Sequence, residues 1–332
     1  MRSFELVRAA TPAAAVLEGS RAQTAQQGAD VRFVAGGTTL VDLMKLGVER
    51  PARLVDINRL GLDGIEDLPG GGLRIGATAT NTAVARHPLV ERRYPALSQA
   101  ILAGASTQLR NAATTAGNLL QRTRCMYFRD TATACNKREP GSGCSAIRGA
   151  NRGLAILGTS DKCIATNPSD MAVAMAALEA VVHVQGVNGA RTIPIAEFHL
   201  LPGDTPEREH ALGPGDLVTY VDLPPTAIGA RQAYLKLRDR ASYEFALASA
   251  AVVVAVDGGT VRHARLALGG VGTKPWRVPA AEDALVGRPA DEASFRRAAA
   301  VLLAGARPQS QNGFKVELAT RCIVHALKSV SA

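Results

Sequence analysis

Cys125, Cys135, Cys144 and Cys163 stand within one stretch of about 40 residues that shows no helix or strand period, and this limits the possible folds more than any other feature. Gly, Ser, Asn and Thr fill much of that stretch. An irregular segment of this length is uncommon inside a compact domain unless something beyond ordinary secondary structure orders it. The gaps between successive cysteines are nine, eight and eighteen residues, with no close CxxC pair of the zinc-ribbon kind. Structural disulfides are disfavoured, because 332 residues can build a core without them and the N-terminus lacks an export pattern. A long wrapping loop can bring four thiolates to one iron–sulfur cluster. A zinc tetrathiolate is the competing metal reading. Cys322, on an amphipathic C-terminal helix, reads as an apolar core residue.

Charge supports a metal over disulfides without choosing between iron and zinc. The formal net charge is +9 with a pI near 9.7. Between Gln121 and Arg152 lie seven bases, Arg122, Arg124, Arg129, Lys137, Arg138, Arg148 and Arg152, against Asp130 and Glu139. That local surplus suits an anionic centre. A nucleic-acid surface would bring interleaved aromatics or a binding motif, and aromatics make up only 4% of the chain. No apolar run approaches the ~20 residues of a membrane span. The first twenty residues hold acids and a proline where a signal peptide needs an apolar core. The expectation is a chain without its own signal, cytoplasmic or periplasmic by co-export with a signal-bearing partner.

The patterning predicts an α+β chain. Strands at Glu5–Arg8, Val31–Val34 and Arg53–Asp56, with helices at Pro12–Gln27 and Leu40–Leu46, form a small βαβ-type unit over residues 1–60. Residues 61–226 read as a second subdomain, with the cysteine loop at 121–165, a helix at Ser169–Leu178, and strands at Val181–Val184, Arg191–Pro194 and Leu217–Leu223. Pro224, Pro225 and Gly229 mark a boundary. Beyond it, residues 227–332 read as three strands, Gln232–Leu237, Ala248–Val256 and Val261–Leu268, and three helices, with Asp257-Gly258-Gly259 as a hairpin turn.

Two loops of small residues carry the next signal. Phe33 to Leu40 ends a strand and opens a helix through Gly36-Gly37-Thr38-Thr39, where glycines admit a close diphosphate and helix N–H groups favour anions. It is neither GxGxxG nor a Walker A loop. Ala112 to Leu119 is a second such run, preceded by Ala103 to Ser106. Two loops of this kind can grip one dinucleotide from both sides; the alternative is a pair of tight packing turns.

With these residues in place the chain resembles the FAD-binding medium subunit of the xanthine dehydrogenase (molybdenum hydroxylase) family. The strings FVAGGTTLVDLMKLGVERPARLVDIN, ILAGAS, QLRNAATTAGNLLQRTRCMYFRD, CNKREPGSGCSA, CIATNPSDMAVAM, KLRDRASYEFALAS and GGVGTKPWR carry the likeness. The cysteine insertion resembles the subgroup whose flavin subunit bears an additional [4Fe–4S] cluster, as in bacterial periplasmic aldehyde oxidoreductases. The resemblance implies a two-part FAD-binding domain of the vanillyl-alcohol-oxidase/PCMH type, followed by a C-terminal α+β domain as in carbon monoxide dehydrogenase flavoproteins. It implies that Arg32, Phe33, Val34, Ala35, Gly36, Gly37, Thr38, Thr39 and Leu40 cradle the FAD pyrophosphate. Gly104, Thr114, Gly117 and Asn118 would form the second grip, with Asp170 near the adenosine and phosphate end. Leu217 and Lys236 would line the cofactor, Tyr243 would approach the flavin ring, and the four cysteines would hold the cluster. Without the resemblance, Asp170 reads as an acid favoured by a helix dipole, Lys236 as a strand-end lysine and Tyr243 as core. The six histidines are scattered and suggest no ligand set.

The function implied is electron transfer. A large molybdenum-cofactor subunit would oxidise an aldehyde or related substrate, and a small [2Fe–2S] subunit would pass electrons to FAD here and on to an external acceptor. No residue of this chain is then required as a catalytic acid, base or nucleophile. The alternatives are a stand-alone FAD-dependent oxidase or dehydrogenase, and a zinc-bearing scaffold subunit.

Overall fold

The computed structural model describes residues 1–331. Strands β1 (Glu5–Arg8), β2 (Val31–Val34) and β3 (Arg53–Asp56) form a parallel sheet with β3 in the centre, pairing Glu5 and Val31 with Arg53 from either side. The first helix begins as the sequence indicates: the Thr11 hydroxyl accepts the Ala14 N–H at 3.1 Å, and Pro12 occupies the first turn. It ends at Gly19 and not at Gln27. The Ser20 hydroxyl ties back to the Leu17 carbonyl at 2.8 Å, and a Cβ at Gly19 would stand 2.5 Å from the Phe33 ring. Leaving the helix there turns Gln26 inward, where its amide donates to the His210 and Leu212 carbonyls at 3.0 Å and accepts from the Glu209 N–H.

Five antiparallel strands form the second sheet: β4 (Ile65–Asp67), β5 (Leu73–Gly76), β6 (Val181–Gly186), β7 (Gly189–Pro194) and β8 (Leu217–Leu223), in the order β4-β5-β8-β6-β7. Short helices accompany it, among them Pro88–Arg93, Thr107–Ala112 and Thr115–Leu119, each of five or six residues, the last packing against β8. Such elements are too short to show a 3.6-residue period, which is why the sequence did not reveal them. A single apolar core runs beneath the first two sheets, from Ala15 and Val55 through Leu97 to Val182 and Val221.

The third sheet holds β9 (Arg231–Leu237), β10 (Ala248–Asp257) and β11 (Thr260–Gly269), antiparallel with β10 central. The hairpin turns at Gly258 and Gly259, whose φ values of +54° and +73° fit the mirror-image turn that matches strand twist. β10 is buried on both faces. Ala251 and Val253 join the core of the first two sheets, while Ala250, Val252 and Val254 face a second core with Phe295, Leu302, Ile323 and Leu327. The alternation of side chains on one strand therefore fastens the C-terminal sheet and its helices Glu292–Leu302 and Phe314–Ser331 to the rest. This is the expected α+β architecture with a three-stranded C-terminal sheet. No described helix is long and apolar enough to cross a membrane.

Candidate functional site

The two small-residue loops meet back to back. A Cβ on Gly36 would lie 1.8 Å from the Ala112 carbonyl oxygen, so only glycine lets the first loop touch the second. Gly37 holds φ +69°, the left-handed region that glycine alone adopts freely. No side chain caps the helix Leu40–Lys45 that follows, whereas Thr114 caps the helix Thr115–Leu119 by accepting the Gly117 N–H at 3.3 Å.

Two adjoining cavities open along these loops. The first, about 190 Å³, is lined by Arg32, Phe33, Val34, Ala35, Gly36, Gly37, Thr38, Thr39 and Leu40, with Thr114, Gly117 and Leu217 opposite. The second, about 540 Å³, takes in Gly104, Asn118, Asp170, Lys236 and Tyr243. Thr38, Thr39 and Gly117 belong to both walls, so the two form one bent cleft. All seventeen residues singled out in the sequence for a dinucleotide lie along it. The polar lining has unmet capacity: Arg32 Nε in the first cavity, and Asn81 Oδ1, Arg110 Nε and Arg124 Nε in the second, are buried without a hydrogen-bond partner. Two adjoining cavities of this size, with a glycine cradle and buried polar atoms in want of partners, fit a dinucleotide such as FAD.

Asp170 is the polar anchor of the second cavity. It opens the helix Asp170–Ala177 behind Ser169, which accepts the Ala172 N–H at 2.9 Å and donates to Asn118 Oδ1 at 2.7 Å. The Asp170 carboxylate takes the Lys236 ammonium at 2.8 Å and the Tyr234 hydroxyl on its other oxygen. Burial, then the Asp170 charge, push the Tyr234 hydroxyl well above its usual range, so it remains a donor. Asp170 and Lys236 are thus neither a plain helix-dipole acid nor a solvated lysine. Tyr243 is 56% exposed at the rim with φ +53°, and is not the core residue that a reading without the resemblance suggests. Ala105, at φ +50°, lines the same cavity. Two non-glycine residues in the left-handed region on one cavity mark it as a site held under strain.

The four cysteines converge. Cys125, Cys135, Cys144 and Cys163 line one small cavity, Cys135 bridges to Cys144 across an isolated antiparallel pair, and all are free thiols. Three are buried and Cys144 is half-buried. Burial pushes the Cys125 thiol up to about 11 and raises Cys163, with Lys137 opposing the latter. Among the described residues, no three His, Cys, Asp or Glu side chains form a site for a metal ion. The thiols surround a common space without closing on one point.

The loop is ordered by a polar scaffold, which the sequence did not reveal. Arg138 donates to the carbonyls of Tyr127, Phe128 and Thr133. From the last helix and the turn before it, Asn312 donates to the carbonyls of Asn151, Leu154 and Ala155, and the Lys315 ammonium to those of Gly153, Leu154 and Gly270 at 2.7–3.0 Å. The basic surplus read from the loop is also largely offset by distant acids. Arg129 pairs with Asp42 at 2.7 Å, Arg152 with Asp239 at 2.6 Å and Lys137 with Glu209 at 3.0 Å, while Arg122 pairs with both Glu49 and Glu209. Sequence proximity counted the bases but could not see acids contributed from elsewhere.

Comparison with known proteins agrees with this geometry. Residues 3–226 match the family described as FAD binding domain in molybdopterin dehydrogenase, and residues 232–330 match the CO dehydrogenase flavoprotein C-terminal domain. The aldehyde oxidoreductase FAD-binding subunit PaoB of Escherichia coli (strain K12) is 50% identical over 100% of this chain and 99% of its own. The carbon monoxide dehydrogenase medium chain of Hydrogenophaga pseudoflava is 28% identical over 92% of this chain and 91% of its own. A solved structure of carbon monoxide dehydrogenase from Hydrogenophaga pseudoflava superposes with a TM-score of 0.76 at 26% identity, covering 99% of this chain and 97% of that one.

Proposed function

The chain belongs to the FAD-binding medium subunits of the xanthine dehydrogenase/CO dehydrogenase family, and from that premise we propose that it is the electron-transfer flavin subunit of a molybdenum-dependent aldehyde oxidoreductase with an additional [4Fe–4S] cluster. The observation that carries this reading is the single bent cleft on which all seventeen candidate residues lie. Residues 1–226 supply the cofactor-binding unit and residues 227–332 close it through β9 and Tyr243. When bound, FAD supplies a carrier that exchanges electrons singly or in pairs.

The residues of this chain position and tune that carrier. Gly36 and Gly37 let the backbone of Arg32–Leu40 approach the pyrophosphate, with Thr38 and Thr39 adding hydroxyl donors. Thr114, Gly117 and Asn118 hold it from the opposite side beside Gly104. Asp170, fixed by Lys236 and Tyr234, would meet the adenosine and phosphate end, Leu217 would line the cofactor, and Tyr243, at the rim, would approach the flavin ring. Cys125, Cys135, Cys144 and Cys163 would be the thiolate ligands of the cluster. The reading is supported by the four thiols lining one cavity and by a long irregular loop of the kind that can wrap four thiolates around a cluster. Substrate oxidation belongs to a large molybdenum-cofactor partner, and electrons reach this chain from a small [2Fe–2S] partner before leaving to an external acceptor. The complex is periplasmic by co-export with a signal-bearing partner, or cytoplasmic.

The test is direct. The purified chain should show a flavin spectrum with one FAD and about four iron atoms, and its complex with the partner subunits should hold the same FAD with additional iron from the [2Fe–2S] partner. A colourless protein sinks the proposal. Flavin with zinc in place of iron overturns the cluster and leaves the flavin role standing.

A further inference from the structure

Between the dinucleotide cleft and the cysteine cavity runs a chain of charged side chains contributed by separate segments. Arg32, on β2 in the wall of the cleft, lies 3.2 Å from Glu49. Glu49, 2% exposed, also pairs with Arg122, and Arg122 pairs in turn with Glu209. Glu209 reaches Lys137 at 3.0 Å, and the Lys137 ammonium donates to the Pro206 carbonyl at 2.8 Å. Arg122 lines the dinucleotide cleft, while its guanidinium lies over the Phe128 ring of the cysteine loop at 4.7 Å. Lys137 lines the cysteine cavity and is 7% exposed. A small polar cavity of about 30 Å³, bordered by Glu209, Lys137, His199, His210 and Cys163, fills the gap between the two sites.

Three cations and two carboxylates in so little water are poorly explained by stability alone. Apolar side chains of similar volume often serve a fold as well as a buried ion network, whereas removing one member leaves an uncompensated charge. Burial by itself would raise Glu209, yet Arg122 and Lys137 outweigh it and hold that carboxyl down to about 2. Its charge is therefore committed to both partners at once. A buried ion network whose members border both sites can carry a coupling free energy between them when the state of one site shifts the balance of charge within it.

We propose that Glu209 is a positioning residue that couples the two sites, holding Arg122 beside the dinucleotide cleft and Lys137 beside the cysteine cavity in one ion network, so that order at the cysteines strengthens FAD binding. The inference rests on the reading of the two sites given above and adds that they are not independent. Loss of an anionic cluster would remove negative charge from the cavity that Lys137 lines, shifting the balance at Glu209 and then at Arg122. By reciprocity, FAD binding favours cluster retention by the same factor.

The experiment is a cycle on the full-length chain, measuring FAD affinity by fluorescence titration with iron present and after stripping by a chelator. In the wild type, stripping should weaken FAD binding about fivefold or more, and the flavin reduction potential should shift in the same samples. In Lys137→Met and in Glu209→Gln the affinity change on stripping should fall below about twofold, with the potential no longer responding. The double variant Lys137→Met/Glu209→Gln removes one charge of each sign, leaves Arg122 paired with Glu49, and serves if either single variant does not fold. Equal wild-type affinities with and without iron overturn the coupling, as do variants that keep the wild-type difference. A wild-type chain holding flavin but no iron overturns the cluster reading and this inference with it. Flavin and iron both present but independent overturn this inference alone.

Discussion

The Lys236 ammonium lies 2.8 Å from the Asp170 carboxylate, with the two side chains only 3% and 9% exposed. The pair joins β9 of the C-terminal sheet to the helix that opens at Asp170, across the wall of the cleft. Asp170→Asn keeps the shape and leaves Lys236 charged and unpaired. It should destabilise the chain by about 3 kcal/mol and lower FAD content. Denaturant unfolding together with the flavin-to-protein absorbance ratio checks both; an unchanged midpoint and full flavin would contradict it.

Gly36→Ala should abolish flavin retention. The added methyl meets the Ala112 carbonyl oxygen at 1.8 Å, a distance no rotamer relieves, so one loop must move away from the other. Gly28→Ala is the control for handling: its site is open but its φ is +83°, so the change strains only a surface turn. Flavin lost in the first variant and kept in the second is the expected outcome.

Stability should fall on mild acidification. Burial lowers His199 to about 4 and His210 to about 3, both below the unfolded value near 6.5. A depressed histidine is neutral in the fold, so its contribution is complete above about 6.5 and is lost as pH falls toward the folded value. His199 alone accounts for on the order of 3 kcal/mol across that interval. His199→Gln should flatten the slope of denaturant midpoint against pH between 6.5 and 4. A slope unchanged by the substitution would show that His199 takes no part.

The fifth cysteine should be inert. Burial pushes Cys322 up to about 12, and it is fully enclosed among the apolar residues of the last helix and β10. Cys322→Ala should leave iron and flavin content unchanged and cost about 1–2 kcal/mol of stability. Cys135→Ser should remove iron while the chain stays folded. Iron analysis beside a thermal melt separates the two.

Much of this architecture was legible in sequence because its signals are local. Asp257-Gly258-Gly259 specifies the hairpin between β10 and β11, and Gly36-Gly37 specifies the cradle at the end of β2. The residues after Gly19 favour helix on their own, and the helix stops there because the inward role of Gln26 depends on carbonyls of His210 and Leu212 far along the chain. The same reason hid Glu49 and Glu209 as counter-charges for Arg122 and Lys137. It also hid Asn312 and Lys315 as the fastening of the cysteine loop. A contact between remote segments leaves no period and no spacing to read.

The Asn312 amide reaches the Asn151 carbonyl across 161 positions of sequence. A chain synthesised from its N-terminus presents all four loop cysteines long before the helix that fastens their loop has been translated. Any metal delivered during synthesis would meet four unassembled thiols, open to oxidation or to the wrong ion. The order of synthesis thus separates the appearance of the thiols from the fastening of the loop that carries them, which waits for Asn312 and Lys315.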